Sequence, residues 1–420
     1  MKAKVIDFDK YKLNLHLFDD VTNATTSSDL TVEMKTFYNK VLLQNVEPEL
    51  VHDQFGQKRN IPRNGGKIIE FRKFKQLPKA LTPLTEGVTP DGQSMKASNI
   101  TAEVSQYGGF VRLTDVLQTT TIDNIIVEAT QEIASQAGRT LDTVTREELN
   151  GGTNVLYAAY NGTRATGRKA LTKQHILTVD DVKRAATILK TQNTAKIDGW
   201  YVGIINPAVS YDLTNDSKWE DAHKYTDPSN IYYGEIGRIF GVRFAETTEA
   251  KVWNAPDLTS EDRELTNKTE ISVSTTTVAV KEAISADDAT ALAGREVYIG
   301  GYANKIVSAA AGAAGSASLT VETAISSLAV DAKVVPGEVT ATGDAVYSTL
   351  VLGANAYGVT ELEGLGLEHI VKQLGSGGTA DPLNQRSTVG WKATKVAKRL
   401  VEEFMVRIES SGTFNELAAN

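Results

Sequence analysis

The chain has 420 residues, with 44 Lys and Arg against 52 Asp and Glu for a formal net charge of −8, five histidines and no cysteine. The length allows about three domains, and the lack of cysteine excludes disulfides, thiol catalysis, thiolate metal sites and iron–sulfur clusters. Net acidity argues against a protein whose main surface holds nucleic acid, and no membrane-length apolar run or signal core at MKAKVIDFDKYK is present, so a soluble product of the cytoplasm, without a membrane partner, is expected.

Residues 1–27 carry mixed charge and end in a polar stretch, and they read as an extended arm. From Leu30 the spacing of Leu30, Met34, Phe37 or Tyr38, and Val41 predicts an amphipathic helix. Residues 57–80 then hold Lys58, Arg59, Arg63, Lys67, Arg72, Lys73, Lys75 and Lys79 against Glu70 alone, a net +7 inside an acidic protein. The run from Lys67 to Phe74 is strand-like, as is Ile100 to Leu113, and Pro78, Pro83 and Pro90 exclude a helix between them. The expectation is a long two-stranded arm, which buries too little to stand alone in water and needs another surface.

Ile122, Ile126, Ala129, Ile133, Ala137, Leu141 and Val144 step by three or four, which predicts one long helix over 121–150, about 45 Å at roughly 1.5 Å per residue. Gly151-Gly152 stops it. Thr178-Val-Asp-Asp181 has the pattern of a capping box and opens a second helix to about Gln192, with Val182, Ala185, Ile188 and Leu189 inward. Trp200 to Ile205 is a candidate buried strand, broken by Asn206-Pro207.

Residues 256–345 differ in composition: 48 of these 90 residues are Ala, Ser, Thr or Val, and only Tyr298 and Tyr302 are aromatic. This marks an inserted domain. Short Val/Ile/Thr runs at Ile271 to Val280, Glu296 to Ile299, Ser318 to Val321 and Ala332 to Val335 suggest a small all-β unit, with a disordered linker as the alternative. Tyr347 to Leu352 reads as a strand and Gly375-Ser-Gly-Gly-Thr as a loop. Val389 to Ser410 fits either a helix through Ala393, Val396, Leu400 and Phe404 or two alternating strands, and periodicity does not decide between them.

A search for chemistry meets only near misses. Gly162-Thr-Arg-Ala-Thr-Gly167 is followed by Arg168-Lys169, without the metal-binding hydroxyl of a phosphate loop, so a mobile basic loop is the plainer reading. Gly364-Leu-Gly366 lacks the third glycine of a dinucleotide fingerprint. His16, His52, His175, His223 and His369 have no metal-site spacing, Asp216, Glu220, Asp221 and His223 read as a solvated charged loop, and no serine elbow exists. No catalytic, cofactor or metal residue is assigned, and the protein is expected to be non-enzymatic. The +7 arm, with Phe71 and Phe74 among its cations, fits either base stacking or, preferably, pairing with acidic surface on an identical neighbour.

The order of arm, helix, basic hairpin, long helix, α/β region, β insert and terminal strands resembles the major capsid proteins of tailed bacteriophages with the Hong Kong 97 fold. Thr26-Ser-Ser-Asp-Leu30, Gly234 to Phe244, Gly353-Ala-Asn-Ala-Tyr-Gly358 and Asp381 to Lys392 resemble more closely the coat-protein family typified by coliphage N-four, the last through Asp381, Pro382, Gln385, Arg386, Trp391 and Lys392. The resemblance implies an α+β chain. It has an N-terminal arm (1–27), an N-terminal helix region (28–56) and an extended loop (57–113) reaching over a neighbour. A peripheral domain with a spine helix (114–177) follows, then an axial domain in two parts (178–255 and 346–380) around the β insert (256–345). Peripheral strands (381–420) close the chain, which would resolve Val389 to Ser410 as β.

The eight cations of the loop are then intersubunit contacts, and Ile122, Ile126, Ile133, Leu141 and Val144 pack the spine. The resemblance further implies hexamers and pentamers in an icosahedral virion shell around double-stranded DNA held non-specifically, assembled in the bacterial cytoplasm with a portal, and leaves room for a decoration protein. About 27 residues precede the first helix, so a separate scaffolding protein is expected. A host nanocompartment shell and a surface-binding module built on the β insert are the alternatives.

Overall fold

The computed structural model describes residues 51–74, 77, 79–81, 83, 86–87, 92–95, 97–120, 125–219, 237–300, 302–340, 342–363, 366–376, 381–414 and 419–420. The arm, the helix expected from Leu30, Lys75, Ile122, and Glu220, Asp221 and His223 lie outside them. The described residues fall into two compact units, one of Gln106–Ala137 with Gly364–Thr394, the other of the remainder. None of their helices is long and apolar enough to cross a membrane.

The larger unit is built on a seven-stranded mixed sheet in the order Val155–Tyr157, Met405–Ser410, Val346–Leu352, Tyr201–Ile205, Val242–Glu246, Arg238–Ile239, with Val252–Trp253 also on Val346–Leu352. Every residue of Tyr201–Ile205, Val346–Leu352 and Met405–Ser410 is buried, because both sheet faces are covered. On one face Tyr201, Ile205, Tyr347, Val351, Val406 and Ile408 pack with Val182, Ala185, Ala186 and Leu189 of the helix Val179–Thr191. On the other, Val202, Ile204, Leu350, Leu352 and Met405 pack with Leu149 of the long helix and with Tyr357 and Val359. The expected cap is present: the Asp181 carboxylate accepts from the Thr178 hydroxyl at 2.8 Å and its backbone N–H at 3.3 Å. Asn206-Pro207, read as a strand break, also starts a helix, Pro207–Thr214, with the Asn206 side chain accepting from Ala208 N–H at 3.0 Å.

Tyr347 lies fully inside this sheet and donates to the Phe414 carbonyl. Burial, reinforced by the Asp212 carboxylate, pushes its phenol up to about 12. The neutral form is therefore favoured by folding, so this stability is complete below pH 10, the phenol's ordinary pKa, and is lost as pH rises toward 12. A denaturant titration should show Tyr347→Phe losing less stability than the parent between these pH values, and parallel losses would refute the assignment.

The long helix spans Ile125–Asn150, with a separate short helix Asp115–Thr120 before it. Ile133, Ala137 and Leu141 are buried as expected, whereas Val144 is only half-buried. Toward the C-terminal end the buried face carries Asp142, Thr145, Arg146 and Leu149 instead. Polar partners from other segments meet it there, so the apolar stripe stops short of the helix end.

The stretch 57–113 does not form one hairpin. Ile68–Phe74 pairs with Ala97–Glu103 as a two-stranded ribbon, Phe71 opposite Ile100. Ser105–Thr114, in contrast, pairs with Arg386–Arg399 in the smaller unit. Gly108 permits that: a Cβ there would lie 2.8 Å from the Trp391 carbonyl. The strand-like reading of Ile100 to Leu113 as one run hides the change of partner, which occurs at Val104.

Val389 to Ser410 is β, but it also divides. Arg386–Arg399 pairs through Thr388–Lys392 with Glu368–Lys372 and through Val396–Arg399 with Tyr357–Thr360. After a 3₁₀ turn at Glu402–Phe404, Met405–Ser410 enters the seven-stranded sheet beside Val346–Leu352. The last strand therefore joins the sheet assigned to the axial part rather than a peripheral one, because all six of its residues need cover.

The insert is folded, not a linker. Its six strands run in the order Leu265–Thr266, Lys333–Pro336, Glu296–Ile299, Tyr302–Ala310, Ser318–Ile325, Thr275–Ala279. The two edges meet, since Lys268 N–H donates to the Ala279 carbonyl at 2.8 Å and Lys281 N–H to that of Thr266 at 3.0 Å. The sheet thus closes into a small barrel with no long free edge, filled by Leu265, Val278, Val280, Val297, Ile299, Ile306, Leu319, Val321 and Val334. A short helix, Ala286–Leu292, was not expected within an all-β unit.

Candidate intersubunit surface

The ribbon's two faces differ. Ile69, Phe71, Lys73, Ile100 and Ala102 turn inward, while Ile68, Glu70, Arg72, Asn99 and Thr101 face solvent. Its base is fixed by Phe71, whose ring is buried against Gly358; a Cβ at 358 would lie 2.7 Å from Phe71 Cε1 and Cζ. Arg59 lies over that ring, 5.7 Å from its centroid, and Gln57–Lys58 runs parallel to Gly358–Val359. We expect Gly358→Val to displace Phe71 and to speed proteolysis between Lys67 and Glu103 severalfold with the central sheet intact; an unchanged cleavage pattern would show that the ring is not the anchor.

Of the eight predicted contact cations, Lys58, Arg59, Arg63, Lys67, Arg72 and Lys79 are exposed. Lys73 is half-exposed and reaches Glu403 at 3.4 Å. Between ribbon and body, Arg59, Arg72 and Lys73 rim a groove of about 230 Å³ floored by Phe71, Ile100, Leu400 and Val401. Phe71 is thus committed to packing and unavailable for base stacking.

Beside Tyr357 lies a buried polar cluster that sequence reading missed. His52 N–H donates to Asp142 Oδ1 at 2.9 Å, and His52 Nδ1 lies 2.5 Å from Asp142 Oδ2. Asp53 accepts from Thr145 Oγ1 at 2.5 Å and from the fully buried Lys395 ammonium, which also bonds the Leu141 carbonyl at 2.8 Å. Tyr357 donates to the His52 carbonyl, and burial, then the nearby Asp53 charge, pushes its phenol far up. The sequence signal lies in the polar residues Asp142 and Thr145 near the point where the apolar stripe ends at Val144.

The other singled-out segments also prove structural. Asp381 accepts from the N–H groups of Gln385 at 3.1 Å and Arg386 at 2.8 Å, capping the turn that launches the strand Arg386–Arg399. Trp391 donates from its indole to Gln136 at 3.1 Å, and Lys392 lies 3.4 Å from Glu368. In Gly234 to Phe244 the described part is a hairpin whose two-residue turn, Phe240-Gly241, has φ of 48° and 88°, the geometry of a type I′ turn. The supposed mobile basic loop is tied down: Arg164 meets Asp181 at 2.9 Å, Arg168 meets Glu409 at 2.7 and 2.9 Å, and Lys169 meets Glu296. Those cations leave no phosphate cradle. Among the described residues no three His, Asp or Glu side chains form a metal cluster.

Residues 98–257 match the family model described as phage capsid protein. No curated protein matches the chain in sequence. Solved structures share its fold: the capsid of cyanophage P-SCSP1u at 13% identity and a TM-score of 0.53, over 94% of this chain and 97% of the other. The capsid of Ralstonia phage GP4 follows at 11% and 0.55, over 95% and 100%, and that of cyanophage Pam1 at 13% and 0.56, over 94% and 99%.

Proposed function

We propose, on the premise that a chain matching the phage capsid protein family and sharing its fold nearly end to end is itself a phage major capsid protein, that copies of this chain self-associate into the icosahedral head of a tailed phage. The carrying observation is fold agreement over at least 94% of this chain and 97% of each capsid subunit compared. A non-enzymatic shell role also suits a molecule whose charged clusters brace strands and helices. The basic stretch supports the reading from physics: a thin two-stranded ribbon, flanked by exposed cations that have no carboxylate partner among the described residues, needs partner surface, which a closed shell supplies at every position. Many modest contacts per subunit then give a durable shell by multivalency.

In this reading, subunits group as hexamers and pentamers around packaged double-stranded DNA. Residues 57–104 reach a neighbour, and Lys58, Arg63, Lys67 and Arg72 form its intersubunit contacts. A separate scaffolding protein and a portal guide assembly in the bacterial cytoplasm, and a decoration protein is a further partner. Electron microscopy of the expressed chain, alone and with the phage's other head proteins, tests the proposal. Closed shells of uniform size that fill with DNA are the expected result; a monodisperse monomer under both conditions, or shells that enclose a protein cargo, would overturn it.

A further inference from the structure

We propose that the inserted barrel of one copy is the docking surface for the basic ribbon of a second copy, a head-to-tail contact that rests on the capsid reading and specifies its partner surface. The argument begins with where the charge lies. Residues 256–345 hold thirteen carboxylates against six cations, a net −7, so nearly all of the chain's −8 belongs to the barrel. Residues 57–80 stand at +7.

Part of each charge is already spent locally. In the barrel Asp257, Glu264, Asp331 and Glu338 pair with Arg263, Lys333, Lys281 and Arg295. Glu261, Asp262, Glu270, Asp287 and Glu322 are exposed, and among the described residues no cation lies within ion-pair distance of them. Arg72 on the ribbon, and Lys58, Arg63, Lys67 and Lys79 flanking it, are likewise exposed without a carboxylate partner among the described residues. Each surface also carries apolar area for an interface core: Ile68, 60% exposed, on the ribbon, and Val273 and Tyr302, 77% and 68% exposed, on the barrel.

The two surfaces do not meet within one copy. The barrel leaves the central sheet where Trp253 pairs with Val346, the first residue of the strand Val346–Leu352. The ribbon reaches the other end of that strand, where Lys73 meets Glu403 two residues before Met405, the partner of Leu352. Seven residues separate the attachment points by about 20 Å. Among the described residues no ion pair joins 57–80 to 256–345. Two complementary patches that share no ion pair within one copy supply the heterologous contact from which rings close. Opposite charge sets its register and rejects like-charged misalignments, and closure of the barrel prevents the ribbon from adding as an edge strand, so the contact is through side chains.

The test is a charge swap read by shell yield. Lys58→Glu, Arg63→Glu and Lys67→Glu together, and Glu261→Lys, Glu270→Lys, Asp287→Lys and Glu322→Lys together, should each lower the yield by about tenfold or more, and a chain carrying both sets should recover most of it. Thermal melts of the unassembled variants establish that each is folded. Carbodiimide treatment of shells mixed from isotopically light and heavy wild-type chains gives a readout without mutation, and hybrid-mass crosslinks between ribbon lysines and barrel carboxylates are expected. Their absence, or full assembly of the barrel-reversed chain while the ribbon-reversed chain fails, would overturn this pairing and leave the capsid reading standing. Failure of the wild-type chain to form shells would overturn both.

Discussion

Asp53→Ala should be among the most destabilising single substitutions in this chain, costing about 3–5 kcal/mol, the range for stripping a buried charge of its partner. Lys395 sits in the strand Arg386–Arg399 with 1% of its side chain exposed, and its ammonium is held by the Asp53 carboxylate and the Leu141 carbonyl. Without Asp53 a full positive charge remains in the interior with one neutral acceptor. Lys395→Met is expected to cost less, about 1–2 kcal/mol, because Asp53 keeps its bond from Thr145 and is 14% exposed to water.

The double variant Asp53→Ala with Lys395→Met should then be more stable than Asp53→Ala alone, since both charges leave together. Urea unfolding of unassembled subunits measures all three. If Asp53→Ala proves no worse than Lys395→Met, the pair is not a desolvated ion pair. The effect reaches beyond stability. Asp53 lies in the short helix Val51–Gln54, just before Gln57–Lys58 pairs with Gly358–Val359, so Asp53→Ala should also loosen the ribbon's base and lower shell yield.

This cluster also shows where sequence reading stopped. The apolar run at 201–205 announces a buried strand, 347–352 a strand, and Thr178 with Asp181 a helix start; these are local signals, and all three are found. Partner choice is not local. Nothing in Ile100 to Leu113 marks Val104 as the point where the chain leaves the ribbon, and nothing in Leu400 to Phe404 shows that the next strand joins a different sheet. The pairing of Asp53 with Lys395 spans 342 positions and has no periodicity to betray it. The helix Ala286–Leu292 was more accessible: Ser285 accepts from Asp288 N–H at 3.1 Å, a cap visible in Ser-Ala-Asp-Asp but masked by the surrounding β composition. The basic stretch and the acidic insert are both legible as composition, while which carboxylates of the insert stay exposed and unpaired emerges only from its closed barrel.

Glu409→Gln should bring a comparable loss, about 3–5 kcal/mol, at the opposite end of the central sheet. Glu409 is fully buried and faces two guanidiniums: Arg168 with a bidentate pair at 2.7 and 2.9 Å, and Arg407 with an ion pair at 2.9 Å. Arg168 stacks on Trp253 at 3.9 Å from the ring centroid, and Arg407 lies 5.5 Å from it while reaching the carbonyls of Asn150 and Gly152. One carboxylate therefore holds together the last strand, the end of the long helix, the loop at 168 and the tryptophan from which the barrel departs. Burial already weakens the protonated form of Arg407, and the Glu409 charge is the largest influence opposing it and the repulsion from Arg168. Replacing that charge by an amide of the same shape leaves two cations facing each other. Arg168→Ala should cost less, because Arg407 still neutralises Glu409 and Arg168 is 32% exposed. Tryptophan fluorescence adds a local readout, since release of Arg168 should alter emission from Trp253 before the sheet unfolds. A Glu409→Gln chain that unfolds at the parent's urea midpoint would mean that the guanidiniums find other partners, and that the barrel's root does not depend on this carboxylate.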